Sequence, residues 1–206
     1  MINPAQGVAF TEASDGDMRS DPEAVRRVSS RLGVASDWAR VAQEHGRKVV
    51  AVGSPGHHGP ADGMATRLPG LPLAVLTADC LGVVIRGTAG VAVAHAGWRG
   101  LAAGILERTV DLLQRLGGDP YEAWVGPHIG PCCFEVGPEV ADLFPDHTAV
   151  VSDRTTVDLL GVARTRLGLP LRAVGSCTRC GEDTFSHRAT GTRRRMAAIG
   201  WWTEEG

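Results

Sequence analysis

Short apolar segments joined by very short connections most strongly constrain the fold of this chain. Residues 73–76 and 91–94 are continuous apolar runs bounded by Gly or Pro, as in strands buried on both faces. Together with the mainly apolar segment between them, these runs predict three successive strands, at 72–78, 81–86 and 90–95. A parallel crossover needs about a dozen residues or more, so these strands must pair in antiparallel or mixed fashion. We therefore expect a single α/β (α+β) domain over residues 1–206, with mixed sheets between helices.

The composition argues against several classes of function. The 206 residues carry 21 Lys and Arg against 23 Asp and Glu, and the resulting net charge of −2 does not favour a nucleic-acid-binding protein. No apolar run approaches the ~20 residues of a membrane span and no secretion leader is evident, so we expect a cytoplasmic protein without membrane contact. Five cysteines, an odd number, favour free thiols or metal ligands over a disulfide framework.

Turn residues and helix caps predict the remaining elements. Asp21 and Pro22 provide an N-cap and a first helical residue for a helix that ends before Gly33. The longest helix is predicted within 97–117, and residues 36–45 are interpreted as helical or mixed. The segment 54–63, which contains Gly, Pro and His, is interpreted as an exposed loop. Other strands are predicted at 7–10, 49–52, 123–125, 171–175 and 196–202, and other helices at 138–143 and 156–167.

A thiol and an imidazole stand at the ends of the predicted central strands. Cys80 closes the segment Thr77-Ala78-Asp79-Cys80, and His95 opens the segment His95-Ala96-Gly97-Trp98-Arg99-Gly100. Polar residues at such strand ends commonly line a pocket, and these two residue types serve either as metal ligands or as nucleophile and base. The predicted helix after His95 also aims free backbone N–H groups at this region, a location for phosphate or another anion.

Six sequence blocks occur in order over most of the chain. They are Gln43-Glu44-His45-Gly46, Ala61-Asp62-Gly63, Thr77–Cys80, His95–Gly100, Gly126–Gly137 and Phe185-Ser186-His187-Arg188. Through them the chain resembles the bacterial laccase-domain family of the YfiH type, also labelled polyphenol oxidase, purine nucleoside phosphorylase or peptidoglycan editing factor. The resemblance implies a layered α-β-β-α sandwich. The chain departs from the family pattern in residues 11–21, at His187, where the family has Tyr, and at Leu81-Gly82, where Pro is common.

The resemblance implies a metal site at His45, Cys80 and His95. Two imidazoles and one thiolate suit zinc, and three protein ligands leave a coordination position for water or substrate, as in catalytic zinc sites. Copper binds most such donors more tightly than zinc does, so Cu²⁺ is expected as a substitute ion.

Purine nucleoside phosphorolysis is the activity that the resemblance implies. Adenosine, inosine and S-methyl-5′-thioadenosine are the expected substrates, with phosphate as co-substrate and adenosine deamination as a companion reaction. Arg99 is the first candidate for binding phosphate, followed by Arg47 and Lys48. The candidate proton carriers are Asp62, Asp79 and Glu44, residue types that equally suit turn-forming or capping roles.

Three other functions fit parts of the pattern. With Cys80 as nucleophile and His95 as its base, the protein would be a cysteine hydrolase or deamidase, with a role in editing peptidoglycan precursors. A non-enzymatic nucleoside-binding module is the second alternative. Copper-dependent polyphenol oxidation ranks last, because none of the seven histidines belongs to a His-x-His pair of the kind that builds a trinuclear copper centre.

The remaining imidazoles and thiols are given mainly structural interpretations. The His57-His58 pair is expected at the surface, and His128 either near the substrate or in a structural hydrogen bond. The adjacent Cys132 and Cys133 are expected to pack rather than to share one metal ion. The Cys177-x-x-Cys180 pair is expected to be structural, because no second Cys pair or thioredoxin context is recognised for it.

Overall fold

Two six-stranded sheets form the centre of the molecule, in a computed structural model that describes residues 1–204. The strands are β1 (Ile2–Ala5), β2 (Val8–Phe10), β3 (Ala39–Ala42), β4 (Val49–Ala51), β5 (Gly56–Pro60), β6 (Gly63–Thr66), β7 (Leu73–Thr77), β8 (Leu81–Gly87), β9 (Gly90–Ala96), β10 (Pro120–Val125), β11 (Thr148–Val151), β12 (Arg154–Val157), β13 (Leu171–Ala173) and β14 (Met196–Gly200). The helices are α1 (Pro22–Leu32), α2 (Trp98–Ala103), α3 (Ile105–Arg115), α4 (Pro138–Ala141), α5 (Leu159–Leu167) and α6 (His187–Thr190). Strands β11 and β12 form a separate hairpin.

The first sheet, here sheet A, has the strand order β1-β2-β14-β7-β3-β5. Its strand β7 is almost entirely buried, because the sequence Leu-Ala-Val-Leu-Thr offers apolar side chains to both faces. β14 pairs antiparallel with β2 and β7, whereas β3 runs parallel to β5 and β7. The strand that comes last in sequence therefore lies inside the sheet.

The second sheet, here sheet B, has the order β13-β10-β8-β9-β6-β4. Its centre is the hairpin of β8 and β9, in which Leu81 lies opposite Ala96 and Gly87 opposite Gly90. β10 pairs antiparallel with β8 and parallel with β13, and β6 pairs antiparallel with β9 and parallel with β4. The predicted mixed sheets, antiparallel where the connections are short, are confirmed.

The sheets pack face to face between outer helices. An apolar core that includes Phe10, Met64 and Val93 lies between them. Helix α1 covers the other face of sheet A through residues such as Val28, and helices α2, α3 and α5 cover sheet B, as with the fully buried Leu106. The α/β fold with mixed sheets layered between helices is therefore confirmed.

One glycine allows the two sheets to approach closely beside the candidate site. A Cβ at Gly82 would lie 2.7 Å from the Cβ of Ala198 in sheet A and 3.1 Å from Cγ2 of Thr77. These distances are too short for a side chain without displacement of the neighbouring strand. Gly82, two residues after Cys80 in the sequence, thus allows a short distance between the two sheets at this point.

Helix α1 has the ends that its sequence predicts. The Asp21 carboxylate accepts hydrogen bonds from the backbone N–H groups of Glu23 and Ala24, and Pro22 occupies the first helical position. Gly33 ends the helix with a left-handed φ of 68°. None of the helices within residues 1–204 has both the length and the apolar composition required to cross a membrane.

Four of the segment predictions differ from the structure. Residues 36–45 contain strand β3 and no helix, because Ala39–Ala42 pairs with strands distant in sequence. Segment 54–63 contains the edge strand β5 rather than only a loop. The helix predicted within 97–117 is two helices, since Gly104 takes a left-handed φ of 86° between them. The helix predicted from residue 156 begins at Leu159, after strand β12.

Candidate metal centre and active site

Both sheets contribute to a cluster of His45, Cys80 and His95. His45 follows β3 in a turn where its own φ is 61°, Cys80 lies between β7 and β8, and His95 lies within β9. Their ligand atoms all lie within 4.8 Å of one another, and the two imidazole rings meet edge to face at 4.7 Å. A Cβ on Gly97 would lie 3.0 Å from the Cys80 sulfur and 3.1 Å from Cδ2 of His45, so glycine at this position keeps the cluster open.

Asp62 holds two of these groups in place. Its buried carboxylate accepts hydrogen bonds from the backbone N–H groups of Glu44, His45 and Gly46, at 3.2, 3.0 and 2.7 Å. The same carboxylate lies 2.8 Å from Nδ1 of His95. Nδ1 therefore carries a proton, and Nε2 is the nitrogen that faces the cluster. This carboxylate–histidine arrangement is the one that commonly orients a metal-binding imidazole.

In the metal-free protein, Cys80 and His95 of this cluster carry opposite charges. Burial disfavours the thiolate of Cys80, but hydrogen bonds with His45 and His95, and their charges, outweigh burial and lower its pKa to about 6. Burial likewise disfavours the charged His95, but its bonds with Asp62 and Cys80 raise its pKa to about 9. At neutral pH the metal-free pair is therefore a thiolate beside an imidazolium ion.

Asp79 fixes the backbone next to Cys80. Its φ is 98°, which is uncommon for a residue with a side chain. Its carboxylate accepts hydrogen bonds from the Thr178 hydroxyl and the Arg188 backbone N–H, both at 2.6 Å, and its carbonyl accepts one from the Ile129 N–H at 2.8 Å. These contacts offset the cost of the backbone conformation, so Asp79 positions Cys80.

A cavity of about 570 Å³ opens onto the cluster. Besides the three donors, its lining residues are Arg19, Val41, Ala42, Gln43, His57, Leu76, Ala78, His187 and Arg195. Arg19 and Arg195 both line this cavity, so two cations face the same space. Burial and the charge of Arg19 lower the pKa of the Arg195 guanidinium. The cavity thus combines metal-binding donors, apolar walls and a positively charged region.

The two cavity histidines outside the cluster hold defined tautomers in their neutral forms. Nδ1 of His57 accepts a hydrogen bond from the Gly59 N–H at 3.3 Å, which places the proton of a neutral ring on Nε2. Nδ1 of His187 lies 3.3 Å from the Thr192 carbonyl, which requires a proton on Nδ1 and leaves Nε2 as an acceptor. In the neutral rings, Nε2 is therefore a donor in His57 and an acceptor in His187.

Several residues singled out from the sequence lie outside this cavity. Arg99 is exposed on α2, with its guanidinium stacked 4.2 Å above the Trp98 ring, and does not line the cavity. Arg47 and Lys48 are exposed and do not line it. His128 does not line it either, and its Nδ1 is bonded to the Gly126 carbonyl at 2.8 Å.

The candidate proton carriers also lie outside the cavity. Asp62 and Asp79 are buried in their hydrogen-bond networks, and the Glu44 side chain is exposed. Conversely, the cavity residues Arg19, Arg195 and His57 lie outside the recognised blocks, and sequence reasoning missed them. Position 187 gave one signal, since it falls within a block and replaces the family's Tyr with another polar ring.

Comparison with known proteins gives a consistent result. The sequence model of the family described as multi-copper polyphenol oxidoreductase laccase matches residues 10–203. A purine nucleoside phosphorylase of Pseudomonas aeruginosa is 38% identical over 91% of this chain and 82% of its own length. Purine nucleoside phosphorylase YfiH of Escherichia coli is 40% identical over 77% of this chain and 71% of its own length.

A solved structure agrees with these sequence matches. The crystal structure of the hypothetical protein YfiH of Bacillus licheniformis superposes with a TM-score of 0.84 at 26% identity, over 95% of this chain and 92% of that one. The family model and the structural superposition each cover most of the chain. The chain therefore belongs to the multi-copper polyphenol oxidoreductase laccase family, the laccase-domain proteins of the YfiH type.

Proposed function

We propose that the protein is a zinc-dependent purine nucleoside phosphorylase that acts on adenosine, inosine and S-methyl-5′-thioadenosine. One observation carries the proposal: the His45, Cys80 and His95 donors share a cavity with Arg19 and Arg195. Relatives at about 40% identity are named purine nucleoside phosphorylases, and this supports the same reaction class. At about 570 Å³, the cavity falls within the size range of small-ligand sites.

Phosphate binding is assigned to the two cavity arginines. A guanidinium presents planar N–H donors that match phosphate oxygens, and charge-assisted bonds of this kind are the stronger class. Arg195 is held by its own bonds to the carbonyls of Thr192 and Arg194, at 3.0 and 2.9 Å. Arg19 is exposed at the rim and approaches the same space. This assignment replaces Arg99, which lies outside the cavity.

The nucleoside base is assigned to the apolar part of the cavity. Val41, Leu76 and Ala78 line it and offer surface to a purine ring. Gln43 stabilises this wall, since its amide group donates to the Leu76 carbonyl and accepts from the Leu76 N–H, both at 2.8 Å. The wall therefore joins the end of β3 to β7 in a fixed position.

The donor set fits zinc, because two imidazole nitrogens and one sulfur are borderline-soft ligands and Asp62 fixes the orientation of one ring. When bound there, zinc supplies a Lewis acid that polarises oxygen and lowers the pKa of water. Asp62 and Asp79 act as positioning residues for His95 and Cys80 in this proposal, not as proton carriers.

The phosphorolytic step can be written with the cavity residues. A phosphate oxygen held by Arg195 forms a bond to C1′ of the ribose while the C1′–N9 bond breaks. The electron pair of that bond leaves with the purine, which takes up a proton. His57 carries an Nε2–H directed by its bond to Gly59 and is the donor assigned to this proton. The products are ribose 1-phosphate and the free base.

Adenosine deamination is proposed as the companion reaction of the same cavity. Water replaces the amino group at C6 of the purine, the C6–N bond breaks, and ammonia leaves with inosine as product. The reaction needs an acceptor for the proton of water, and this role is assigned to Nε2 of His187, the acceptor nitrogen of the neutral ring. Copper-dependent polyphenol oxidation has weaker support, because the seven histidines include no His-x-His pair.

Product analysis tests the proposal. Purified zinc-loaded protein is incubated with adenosine, with and without phosphate, and the products are separated by chromatography. Phosphate-dependent adenine and ribose 1-phosphate support phosphorolysis, and inosine supports the deaminase. Nucleoside binding without product selects a binding module. His95→Ala should abolish turnover, whereas Arg108→Ala, at an exposed position on α3 outside the cavity, should not change it.

A second candidate function is a cysteine hydrolase or deamidase. The observation in its favour is the series Cys80, His95 and Asp62, in which a thiol with a pKa lowered to about 6 lies beside an imidazole oriented by a carboxylate. Metal content separates the two functions. Activity that persists after zinc is removed, and that is lost when Cys80 is alkylated, would select the hydrolase.

A further inference from the structure

Four cysteines outside the cavity converge on one point of the surface. Cys132 and Cys133 lie in the loop after β10, and Cys177 and Cys180 lie in the loop after β13. Their sulfur atoms all lie within 4.8 Å of one another, and Cys180 lies 3.7 Å from Cys132 and 3.6 Å from Cys133. This differs from the expectation that the Cys132-Cys133 pair only packs and that the Cys177–Cys180 pair has no second pair beside it.

The sulfur separations match a single tetrahedral metal ion. With zinc–sulfur bonds of about 2.3 Å, the edge of a tetrahedron of four sulfur atoms is about 3.8 Å. The distances from the Cys180 sulfur to the Cys132 and Cys133 sulfurs are close to that edge length. All four thiols are free, so none is part of a disulfide. A bridged iron–sulfur cluster would hold sulfurs on different iron atoms much farther apart than one edge. Four thiolates around one ion are the ligand set of structural zinc sites.

Two tight turns direct the four side chains to this point. Cys133 N–H bonds to the Gly130 carbonyl at 3.0 Å, and Gly181 N–H bonds to the Cys177 carbonyl at 2.7 Å. Gly130 also donates its N–H to the Cys177 sulfur at 3.3 Å, a contact that stabilises a thiolate. A Cβ on Gly130 would lie 3.3 Å from the Cys132 sulfur and 3.5 Å from Cβ of Cys177, so the two loops approach each other closely at this glycine.

The cluster joins the two loops that hold the backbone beside Cys80. Thr178, between the second pair of cysteines, donates its N–H to the His128 carbonyl at 2.9 Å and its hydroxyl to Asp79. Ile129, in the other loop, donates its N–H to the Asp79 carbonyl. Both loops therefore form hydrogen bonds with Asp79, the residue before Cys80. A metal ion that held the loops together would also hold the cavity wall in place.

We propose that Cys132, Cys133, Cys177 and Cys180 form a second, structural zinc site. The site has four protein ligands and no open coordination position, so its role is to fix the two loops and not to activate a substrate. Cys132 and Cys180 are exposed, which lets the ion enter from solvent after the loops have formed. The proposal is independent of the proposed activity, since it rests on different residues and a different part of the surface.

Metal content of matched variants tests the second site. Protein purified under reducing conditions without chelator should contain two zinc ions per chain by elemental mass spectrometry. The double variant Cys177→Ser/Cys180→Ser should contain one, and His45→Ala should also contain one. Arg179→Ala changes an exposed residue within the same turn that is not a ligand, and it should retain both ions. Wild-type protein with one zinc, unaffected by the double cysteine variant, would overturn the proposal.

A second measurement on wild-type protein does not depend on the folding of a variant. Zinc-loaded protein is treated with iodoacetamide and the modified cysteines are identified by peptide mass spectrometry. Cys132 and Cys180 are exposed, yet they should resist alkylation until a chelator removes the metal. Rapid modification of both before chelation would contradict the site.

Discussion

Replacement of Asp62 by Asn tests how the metal centre is positioned. Asp62 Oδ1 receives the N–H of His45 and faces Nδ1 of His95, whereas Oδ2 receives the N–H groups of Glu44 and Gly46. Asn keeps only one oxygen, so its NH₂ group must face one of these two pairs of donors. The contacts to Glu44 and Gly46 are lost if the NH₂ group replaces Oδ2, and at least the contact to the His45 N–H is lost if it replaces Oδ1; in both cases the negative charge beside His95 disappears.

The magnitude follows from these contacts. An unsatisfied buried donor costs about 1–3 kcal/mol. Since Glu44 and Gly46 are not fully buried, water can replace part of the lost bonding, and we expect the free energy of unfolding to fall by about 2 kcal/mol. Loss of a carboxylate that orients a metal-binding histidine typically lowers metal affinity about 10- to 100-fold, or about 1.4–2.8 kcal/mol.

Two assays measure these effects. Urea unfolding of the metal-free protein gives the free energy of unfolding, and competition with a chromophoric chelator gives the zinc dissociation constant. Glu44→Gln is the matched control, because it removes an exposed side-chain carboxylate in the same turn and keeps the backbone N–H that bonds to Asp62. A zinc dissociation constant within about threefold of wild type in Asp62→Asn would refute the positioning role.

Three further predictions address the cavity, the thiol and the sheet packing. Arg195→Ala should raise the KM for phosphate about tenfold or more by removing a charge-assisted hydrogen bond, whereas Arg108→Ala should not, as steady-state kinetics will show. In chelator-treated protein, the rate of Cys80 alkylation, followed by peptide mass spectrometry, should stay high down to a pH of about 6 and fall at lower pH. The reason is that a pKa of about 6 leaves Cys80 mostly as the reactive thiolate above that pH. A midpoint near the ordinary value of about 8.5 would contradict the ion pair. Gly82→Ala, whose Cβ would lie 2.7 Å from that of Ala198, should destabilise the protein by about 1–3 kcal/mol in urea unfolding, and unchanged stability would show that the sheets can separate freely.

Local signals predicted the elements whose structure is decided locally. Helix α1 has its cap, first-turn proline and terminal glycine within one continuous segment, and the central hairpin of β8 and β9 has two apolar runs joined by a tight turn. In such cases sequence neighbours supply the hydrogen-bond partners. The fold class followed from these elements because short connections exclude most other sheet topologies.

Elements that depend on distant partners were not predictable in the same way. The β5 sequence Gly56-His57-His58-Gly59-Pro60 lacks an apolar alternation, and it becomes a strand because β3 lies alongside it. Its edge position leaves it mostly unburied, so burial imposes no pattern on the sequence. His57 is exposed, as its interpretation as a surface residue predicts, and the structure adds that it lines the cavity.

The candidate site shows the same division between local and distant information. Motifs indicated Cys80 and His95, whereas the grouping of His45 with them came from the family resemblance. Arg19 and Arg195 lie at opposite ends of the sequence and meet only through the fold. The four surface cysteines did offer a signal, two pairs in one chain, but their convergence depends on two loops that the sequence does not visibly connect.

The position of β14 has a consequence for how the protein is made. This strand pairs with β2 and β7, so sheet A cannot close until residues 196–200 have left the ribosome. Strands β2 and β7 are therefore made long before the strand that pairs with both of them. Because the metal donors come from both sheets, we expect the complete centre to assemble only after β14 has joined sheet A, so a truncation before residue 196 should prevent its assembly.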